Sequence, residues 1–269
     1  MNFGFWNIND KKLDSLIKQF ADEFELDILI LGESPYSPDE LLLLLNSVSS
    51  DYYYAPGILC EKIQIFTKFK DNLITPIEES KRITARKLYS PKYGDVTLIA
   101  AHYNSKVNWS NEDQAAHAPT FKYLIDSVEN KIGHKRTVVC GDFNMNPFDF
   151  GMVQSTGLHA VMDRKIAQKK SRTVDGIEYD FFYNPMWGFL GDNGKGNVSG
   201  SMYYSPAKPI NFHWNLFDQV IIRHEIANDL IDEELKIITK LGDTNLLTEN
   251  EQVSSRYSDH LPLKFQINI

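Results

Sequence analysis

The clearest pattern along the chain is a series of short apolar runs, each of which ends at a polar residue. The run at 137–140 stops at Gly141 and is followed by Asp142 and Asn144. Four to eight β-branched and apolar residues are typical of a buried strand, whose two-residue period places Asp142 and Asn144 on one side. Burying paired oxygen ligands is costly unless a cation or a substrate compensates. Taken alone, the same stretch also fits an Asx turn that closes a strand.

The spacing of apolar residues predicts the other elements. We predict strands at 3–9, 26–33, 52–55, 58–60, 63–66, 83–89, 96–101, 220–222 and 261–267, with an antiparallel meander between 51 and 100. The first strand would carry Asn7 and Asn9 on one face. We predict helices at 13–24 with Asp10 as its cap, from Pro38, around 115–131 with a kink or break at Pro119, and at 147–156.

The polar residues at the strand ends are spread along the whole chain, so only the fold can bring them together. They are Asn7, Glu33, His102, the pair Asp142 and Asn144, Asp218, and the pair Asp259 and His260. Because the strand ends of a layered α/β domain share one edge, we expect these residues to line a common cleft.

The residue types in this set favour one chemistry. Hard oxygen ligands such as Asn7, Glu33, Asp142 and Asp259 suit Mg²⁺, with Mn²⁺ as the alternative. The sequence contains no Cys-X-X-Cys or His-Glu-X-X-His motif, no Walker glycine loop and no dinucleotide fingerprint. Histidines and acids around a hard cation are typical of the hydrolysis of a phosphate ester.

Bulk composition narrows the class of protein. The chain has 269 residues, a net charge of −8 and two cysteines, Cys60 and Cys140. The acidic charge argues against broad attraction to nucleic acid or anionic lipid, although it allows a local basic patch. No apolar run approaches the roughly 20 residues of a membrane helix, so we expect no membrane anchor. A cysteine in the predicted buried strand favours a reducing compartment, and we expect a cytoplasmic protein.

Six short motifs together resemble the endonuclease/exonuclease/phosphatase superfamily, which includes pancreatic deoxyribonuclease, AP endonucleases, neutral sphingomyelinases and inositol polyphosphate 5-phosphatases. The motifs are Trp6-Asn7-Ile8-Asn9, Leu31-Gly32-Glu33, Ile99-Ala100-Ala101-His102, Gly141-Asp142-Phe143-Asn144, Phe217-Asp218-Gln219-Val220 and Ser258-Asp259-His260-Leu261-Pro262. They cover nearly the whole chain in the family's order. The resemblance implies an α/β protein, α+β by some schemes, with a deoxyribonuclease-like four-layer α/β/β/α sandwich of two mostly antiparallel sheets. We expect a single domain at 1–269 with a long irregular loop at about 163–215.

The resemblance also implies a role for each matching residue. Glu33 would be the main metal ligand, with Asn7 beside it and Asp259 completing the metal side.

On the catalytic side, Asp142 would orient or deprotonate the attacking water, and Asn144 would hold a phosphate oxygen. His260 would act on the phosphate or the water and be oriented by Asp218.

His102 stands where deoxyribonuclease-like members have a histidine and AP endonucleases usually have a tyrosine. Those members pair this histidine with a glutamate from a preceding strand, whereas Arg82-Ile83-Thr84 occupies about that place here, with no acid to assign.

Substrate recognition leaves three hypotheses open. A basic cluster that includes Lys169, Lys170 and Arg172 would contact a phosphate backbone beside the site, as would Arg82, although solvated surface is the simpler explanation of all four. With the aromatic residues between 179 and 214, this cluster favours a nuclease that acts on DNA or RNA. The acidic net charge favours a phosphodiesterase or phosphatase acting on a lipid headgroup or small phosphorylated metabolite, although no exposed hydrophobic hairpin is evident. The third hypothesis is a non-catalytic binding module.

Overall fold

The computed structural model describes residues 1–48 and 51–269. The α-helices are α1 (Asp14–Glu23), α2 (Pro38–Leu45), α3 (Asn111–Ile132), α4 (Phe150–Val153) and α5 (Arg164–Ala167), and short 3₁₀ helices cover Asp71–Leu73, Pro185–Phe189, Ala227–Asp229 and Asp232–Glu234. The strands are β1 (Asn2–Asn7), β2 (Ile28–Gly32), β3 (Tyr53–Tyr54), β4 (Ile63–Thr67), β5 (Ile74–Glu79), β6 (Ile83–Ser90), β7 (Gly94–His102), β8 (Thr137–Asp142), β9 (Ala160–Val161), β10 (Ser171–Val174), β11 (Ile177–Asp180), β12 (Phe182–Tyr183), β13 (Met202–Tyr203), β14 (Trp214–Asn215), β15 (Asp218–Arg223), β16 (Lys236–Ile237), β17 (Lys240–Leu241), β18 (Thr244–Asn245) and β19 (Leu263–Gln266).

Most of these strands form two large sheets. The first sheet has six strands in the order β16-β19-β1-β2-β4-β3, and the second has seven in the order β5-β6-β7-β8-β15-β12-β9. Neighbouring strands are parallel in the pairs β1–β2, β7–β8 and β9–β12, and the other pairs in these sheets are antiparallel. The prediction of two mostly antiparallel sheets is therefore confirmed.

Alternating side chains along the strands build the layers. Phe5 and Ile30 of the first sheet pack against Val138 and Cys140 of the second in one inner core. Leu29 and its neighbours on the opposite face of the first sheet pack against α1 and α2. The outer face of the second sheet is covered by α3. Because each sheet has two apolar faces, burial of both requires the α/β/β/α order of layers that the sequence analysis expected.

Strand register brings the polar strand ends to one edge. Asn7 is the partner of Gly32 in the parallel pair β1–β2, and His102 is the partner of Asp142 in the parallel pair β7–β8. β15 runs antiparallel to β8, so its first residue, Asp218, also lies opposite Asp142. The carboxyl ends of four strands and the amino end of a fifth therefore meet at the same edge.

The first strand is shorter than predicted. It ends at Asn7, and Asn9 and Asp10 have left-handed φ angles of 49° and 51°. The backbone N–H of Asp10 donates to the carbonyl of Glu33, which turns the chain away from the sheet. The predictions that Asn9 continues the strand and that Asp10 caps the helix were wrong, because α1 begins at Asp14 with Leu13 as its N-cap.

The predicted meander is split between the two sheets. β3 and β4 belong to the first sheet, whereas β5, β6 and β7 belong to the second. The predicted strand at 58–60 is a loop, because the Glu79 carboxylate accepts the backbone N–H groups of Ile58, Leu59 and Cys60. β5 was missed, since Pro76 and two glutamates hide its alternation.

Pro119 does not interrupt α3, so the predicted break is absent. Proline has no N–H to give to the carbonyl four residues earlier. That carbonyl, on Ala115, accepts a 2.7 Å hydrogen bond from Gln154 Nε2 instead.

The segment 163–215 is less irregular than predicted. It contains α5, the ribbon β10–β11, the strand β12 and the hairpin β13–β14. Within the described part of the chain, no helix is long and apolar enough to cross a membrane.

Candidate active site

Asp142, the last residue of β8, is the centre of the site and is 1% exposed. Its Oδ2 accepts hydrogen bonds from Asn7 Nδ2 and Asn144 Nδ2, both at 3.1 Å, and its Oδ1 accepts one from the Asn144 backbone N–H at 2.8 Å. The same Oδ2 lies 3.5 Å from His102 Nε2 and 3.9 Å from His260 Nε2. Burial raises the pKa of Asp142, while the neighbouring histidines oppose the rise. Asp142 therefore connects residues from both sheets.

The backbone around Asp142 depends on Gly141. Its φ is 145°, and a Cβ at this position would lie 1.9 Å from the carbonyl oxygen of Ala101 on the neighbouring strand. Only glycine permits this approach of β8 to β7. Asn144 then adopts a left-handed φ of 51°, and its Nδ2 also contacts the Tyr103 carbonyl at 3.2 Å.

His260 is held by an acid. Its Nδ1 lies 2.7 Å from Oδ2 of Asp218, a residue with no solvent exposure. Ser258 Oγ accepts the His260 backbone N–H and donates to the Asn7 carbonyl, which ties this loop to β1. Burial lowers the pKa of His260, but the charges of Asp218 and Asp142 outweigh burial and raise that pKa to about 10. His260 is therefore an imidazolium at neutral pH.

The His102 side chain contacts a positively charged residue. Arg82 Nη1 lies 3.2 Å from His102 Nδ1, and the other ring nitrogen lies 3.2 Å from Glu33 Oε1. Burial lowers the pKa of His102, and the charge of Arg82 lowers it further, while Asp142 opposes the change. Burial also raises the pKa of Glu33. The acidic contact of His102 thus comes from the end of β2 and not from the strand that precedes β7.

The oxygen atoms around Glu33 fit a hard cation. Asp259 Oδ1 is buried and has no hydrogen-bond partner among the described residues. Burial is the main cause of the raised pKa of Glu33, and the charge of Asp259 adds to the rise. Asn7 Oδ1 accepts the Asn9 backbone N–H at 3.0 Å and keeps a second lone pair. An unpaired buried carboxylate oxygen is costly, and a divalent cation would offset that cost.

Asp142, Asp218 and His260 form a second cluster, in which one ligand atom of each residue lies within 4.8 Å of the others. Its spacing also suits a metal. However, His260 gives Nδ1 to Asp218 and carries a raised pKa, so its ring acts as a hydrogen-bond donor. We therefore interpret this cluster as an acid–histidine–acid arrangement and not as the metal centre.

The basic cluster lies away from this edge. The Lys170 carbonyl accepts the N–H of Phe181. Phe181 directly precedes β12, whose first residue, Phe182, pairs with Arg223 at the far end of β15. At about 3.3 Å per residue, that end is roughly 16 Å from Asp218. Arg172 Nε donates to the buried His159, at 2.9 Å. The expectation that Lys169, Lys170 and Arg172 lie beside the site is therefore corrected.

The contact between Arg82 and His102 was missed in the sequence. It follows from the β6–β7 register, in which Ile83 pairs with Ala101, and from the Arg82 carbonyl, which accepts the His102 N–H at 2.9 Å. The turn at Gly94 was the signal for this register, because it fixes which residues face each other across the hairpin.

A scan of family models and a search of curated protein sequences each returned no match. Solved structures do match. An endonuclease/exonuclease/phosphatase family protein from Bacteroides thetaiotaomicron superposes with a TM-score of 0.59 at 12% identity, over 98% of this chain and 96% of that one. The human Nocturnin catalytic domain with bound sulfate gives 0.57 at 15% identity, over 98% and 93%. The 3′ phosphatase NExo from Neisseria, bound to a product DNA hairpin, gives 0.54 at 13% identity over both full lengths, 100% and 100%.

These similarities confirm the resemblance at the level of the fold: the chain has the deoxyribonuclease-like fold of the endonuclease/exonuclease/phosphatase superfamily.

Proposed function

We propose that this protein is a divalent-metal-dependent phosphodiester hydrolase in which water attacks the phosphorus atom in line. The observation that carries the proposal is the position of Asp142, whose carboxylate lies within 4 Å of two histidines with different partners and accepts a hydrogen bond from the first sheet. A buried carboxylate with a raised pKa is a better proton acceptor than a solvated one.

In the proposed reaction, Asp142 takes a proton from water, the water oxygen bonds to phosphorus, and the bond to the leaving oxygen breaks. Asn144 Nδ2 donates to Asp142 and Tyr103 in this structure, so Asn144 would turn one of these N–H groups to a phosphate oxygen when substrate binds. The imidazolium of His260, held by Asp218, stabilises the developing negative charge. His102 donates a hydrogen bond from the opposite side. A bound cation would neutralise phosphate charge.

Glu33, Asp259 and Asn7 are the residues that we propose hold this cation, Mg²⁺ or Mn²⁺. Metal binding to the native state raises its stability. Mg²⁺ should therefore raise the Tm of the wild type, and Glu33→Gln or Asp259→Asn should remove the rise. The exposed Glu61→Gln is the matched control and should keep it. An equal rise in all four proteins would exclude this site.

For the substrate we propose nucleic acid. The solved structures with this fold include a 3′ phosphatase bound to a DNA hairpin and an AP endonuclease from Archaeoglobus fulgidus. Phe148 forms an aromatic surface with Trp187 and Phe212, whose ring centroids lie 6.3 Å and 5.2 Å from that of Phe148. Phe148 follows Asn144 closely in the chain, and aromatic rings beside a phosphoester site suit the stacking of bases.

One observation favours a lipid substrate as the second candidate. The loop of the β13–β14 hairpin exposes 79% of Ile210, 56% of Phe212 and 55% of Tyr204. No exposed hydrophobic hairpin was expected from the sequence, and this loop corrects that expectation. Exposed apolar side chains on a hairpin also suit a membrane surface.

A substrate panel tests both candidates. Plasmid, single-stranded DNA, RNA, sphingomyelin vesicles, phosphoinositide vesicles and a small diester, bis(p-nitrophenyl) phosphate, would each be incubated with Mg²⁺ and with chelator. The proposal predicts Mg²⁺-dependent cleavage of a nucleic acid and of the small diester. Cleavage of lipid alone would support the second candidate, and no hydrolysis of any substrate would leave a binding module.

A further inference from the structure

The guanidinium of Arg82 has an unusual environment. It is half-buried at the start of β6, and Nη1 donates to Nδ1 of His102 at 3.2 Å. Within the described residues no carboxylate forms an ion pair with it, whereas Arg86, Arg136, Arg164 and Arg223 each pair with an acid. The described partner of this side chain is therefore the histidine ring.

This contact fixes the position of the proton on the ring. A guanidinium has N–H donors and no acceptor, so the Nδ1 that faces it must present a lone pair. A neutral imidazole then carries its proton on Nε2. The surroundings of Nε2 agree, since Glu33 Oε1 at 3.2 Å and Asp142 Oδ2 at 3.5 Å are both acceptors.

We propose that Arg82 is a positioning residue that locks His102 as its Nε2–H tautomer and aims that N–H into the site. His102 then serves as a neutral hydrogen-bond donor to a phosphate oxygen and not as the group that takes the proton from water. The catalytic part of this inference rests on the proposed function, whereas the tautomer can be measured without any substrate.

A second arginine–histidine pair provides a matched control. Arg172 Nε donates to Nε2 of His159 at 2.9 Å, and Nδ1 of the same ring donates to the Asp180 carbonyl at 3.1 Å. His159 is therefore the opposite tautomer, held by the same kind of contact. This pair lies at the far end of the second sheet from Asp142.

The first test is ¹⁵N NMR of labelled histidine in the chelator-treated protein, with the His102 signals assigned from a His102→Gln spectrum. The wild type should show a proton on Nε2 and none on Nδ1. Arg82→Lys, which keeps a donor, should give the same pattern, whereas Arg82→Glu, which offers an acceptor, should move a proton to Nδ1. A wild-type ring protonated on Nδ1, or an unchanged ring in Arg82→Glu, would overturn the proposal.

The second test is the hydrolysis of bis(p-nitrophenyl) phosphate. Partners that orient a histidine typically contribute about 10–100-fold, so Arg82→Met should lower kcat by that factor with little change in KM. Arg82→Lys should restore most of the loss. Arg172→Met should alter the His159 signals and leave kcat at the wild-type value.

Two kinetic results would contradict the positioning role. One is an Arg82→Met defect confined to KM with the His102 tautomer unmoved, which would make Arg82 a direct phosphate contact. The other is a loss in Arg82→Lys as large as in Arg82→Met. Thermal unfolding shows whether each variant is folded. If Arg82→Met does not fold, comparing the His102 tautomer and the kcat of Arg82→Lys with those of Arg82→Glu tests the positioning role instead.

The two proposals fail separately. If the wild type hydrolyses no phosphoester but its ring signals follow the predicted pattern, the proposed function is wrong and the structural role of Arg82 stands. If hydrolysis occurs and the wild-type ring is protonated on Nδ1, the positioning role is wrong and the function stands.

Discussion

The two histidines of the site differ in what holds their Nδ1 atoms. His260 Nδ1 faces the carboxylate of Asp218 at 2.7 Å, and His102 Nδ1 faces the guanidinium of Arg82 at 3.2 Å. The pKa of His260 is accordingly raised to about 10 despite burial. Burial and the nearby positive charge together lower the pKa of His102. One residue type thus provides a cation and a neutral donor, because two carboxylates outweigh burial at His260 whereas burial and Arg82 act together at His102.

Asp142 lies between them. Its Oδ2 is 3.5 Å from His102 Nε2 and 3.9 Å from His260 Nε2, so both rings point their second nitrogen at the same carboxylate. The rings reach it from different directions, since His102 ends β7 while His260 precedes β19 of the first sheet. A phosphate bound at Asp142 would therefore meet a charged donor on one side and a neutral donor on the other.

Replacement of His260 should have the largest effect on this comparison. His260→Gln removes a cation that an amide cannot replace, so kcat on bis(p-nitrophenyl) phosphate should fall about 1000-fold. His260→Ala should be equally impaired. The exposed His213→Gln is the control and should be unchanged. Retention of a tenth or more of the activity by His260→Gln would contradict the role of the imidazolium.

Replacement of His102 should cost less. Loss of a neutral donor to an oxyanion typically costs about 100-fold or more in kcat. Because glutamine also carries a neutral N–H donor, His102→Gln should retain more activity than His102→Ala. Steady-state kinetics on the same diester would compare the two variants. Equal losses would show that hydrogen-bond donation is not what His102 supplies.

The two histidines should also give opposite pH dependences of stability. Native His260 holds its proton until about pH 10, whereas an unfolded histidine loses it near 6.5, so the free energy of unfolding should fall as pH rises across this range. The slope would reach about 1.4 kcal/mol per pH unit. His102 has a lowered pKa, so its contribution to the free energy of unfolding should be lost as pH falls below 6.5.

Urea unfolding at a series of pH values would measure both slopes. His260→Gln should flatten the alkaline fall, and His102→Gln should flatten the acidic fall. An alkaline fall of unchanged steepness in His260→Gln would mean that another group carries it.

The smallest effect is expected at the basic cluster. Lys169 and Lys170 lie at the end of the second sheet opposite Asp142. Replacing either with alanine should therefore change the hydrolysis of the small diester by less than about twofold. Cleavage of plasmid should be unaffected as well. A tenfold loss of plasmid cleavage with normal diester hydrolysis would instead mean that nucleic acid extends to this surface.

The sequence was informative wherever function follows from strand periodicity. Asp142 and Asn7 could be predicted at a shared edge, because each closes an apolar run and strand ends of a layered domain converge. Residues whose role depends on pairing between distant segments were not predictable. Arg82 finds His102 through the β6–β7 register, and Lys170 is carried away from the edge by β12. Register and edge position are set by the tertiary fold, and local composition does not contain them.

The most direct test of the central claim is hydrolysis of bis(p-nitrophenyl) phosphate by the wild type and by Asp142→Asn, each with Mg²⁺ and with chelator. The account predicts Mg²⁺-dependent turnover by the wild type and a loss of about 1000-fold or more in a folded Asp142→Asn. Turnover that survives in Asp142→Asn, or a wild type inactive on this diester and on every nucleic acid, would contradict it.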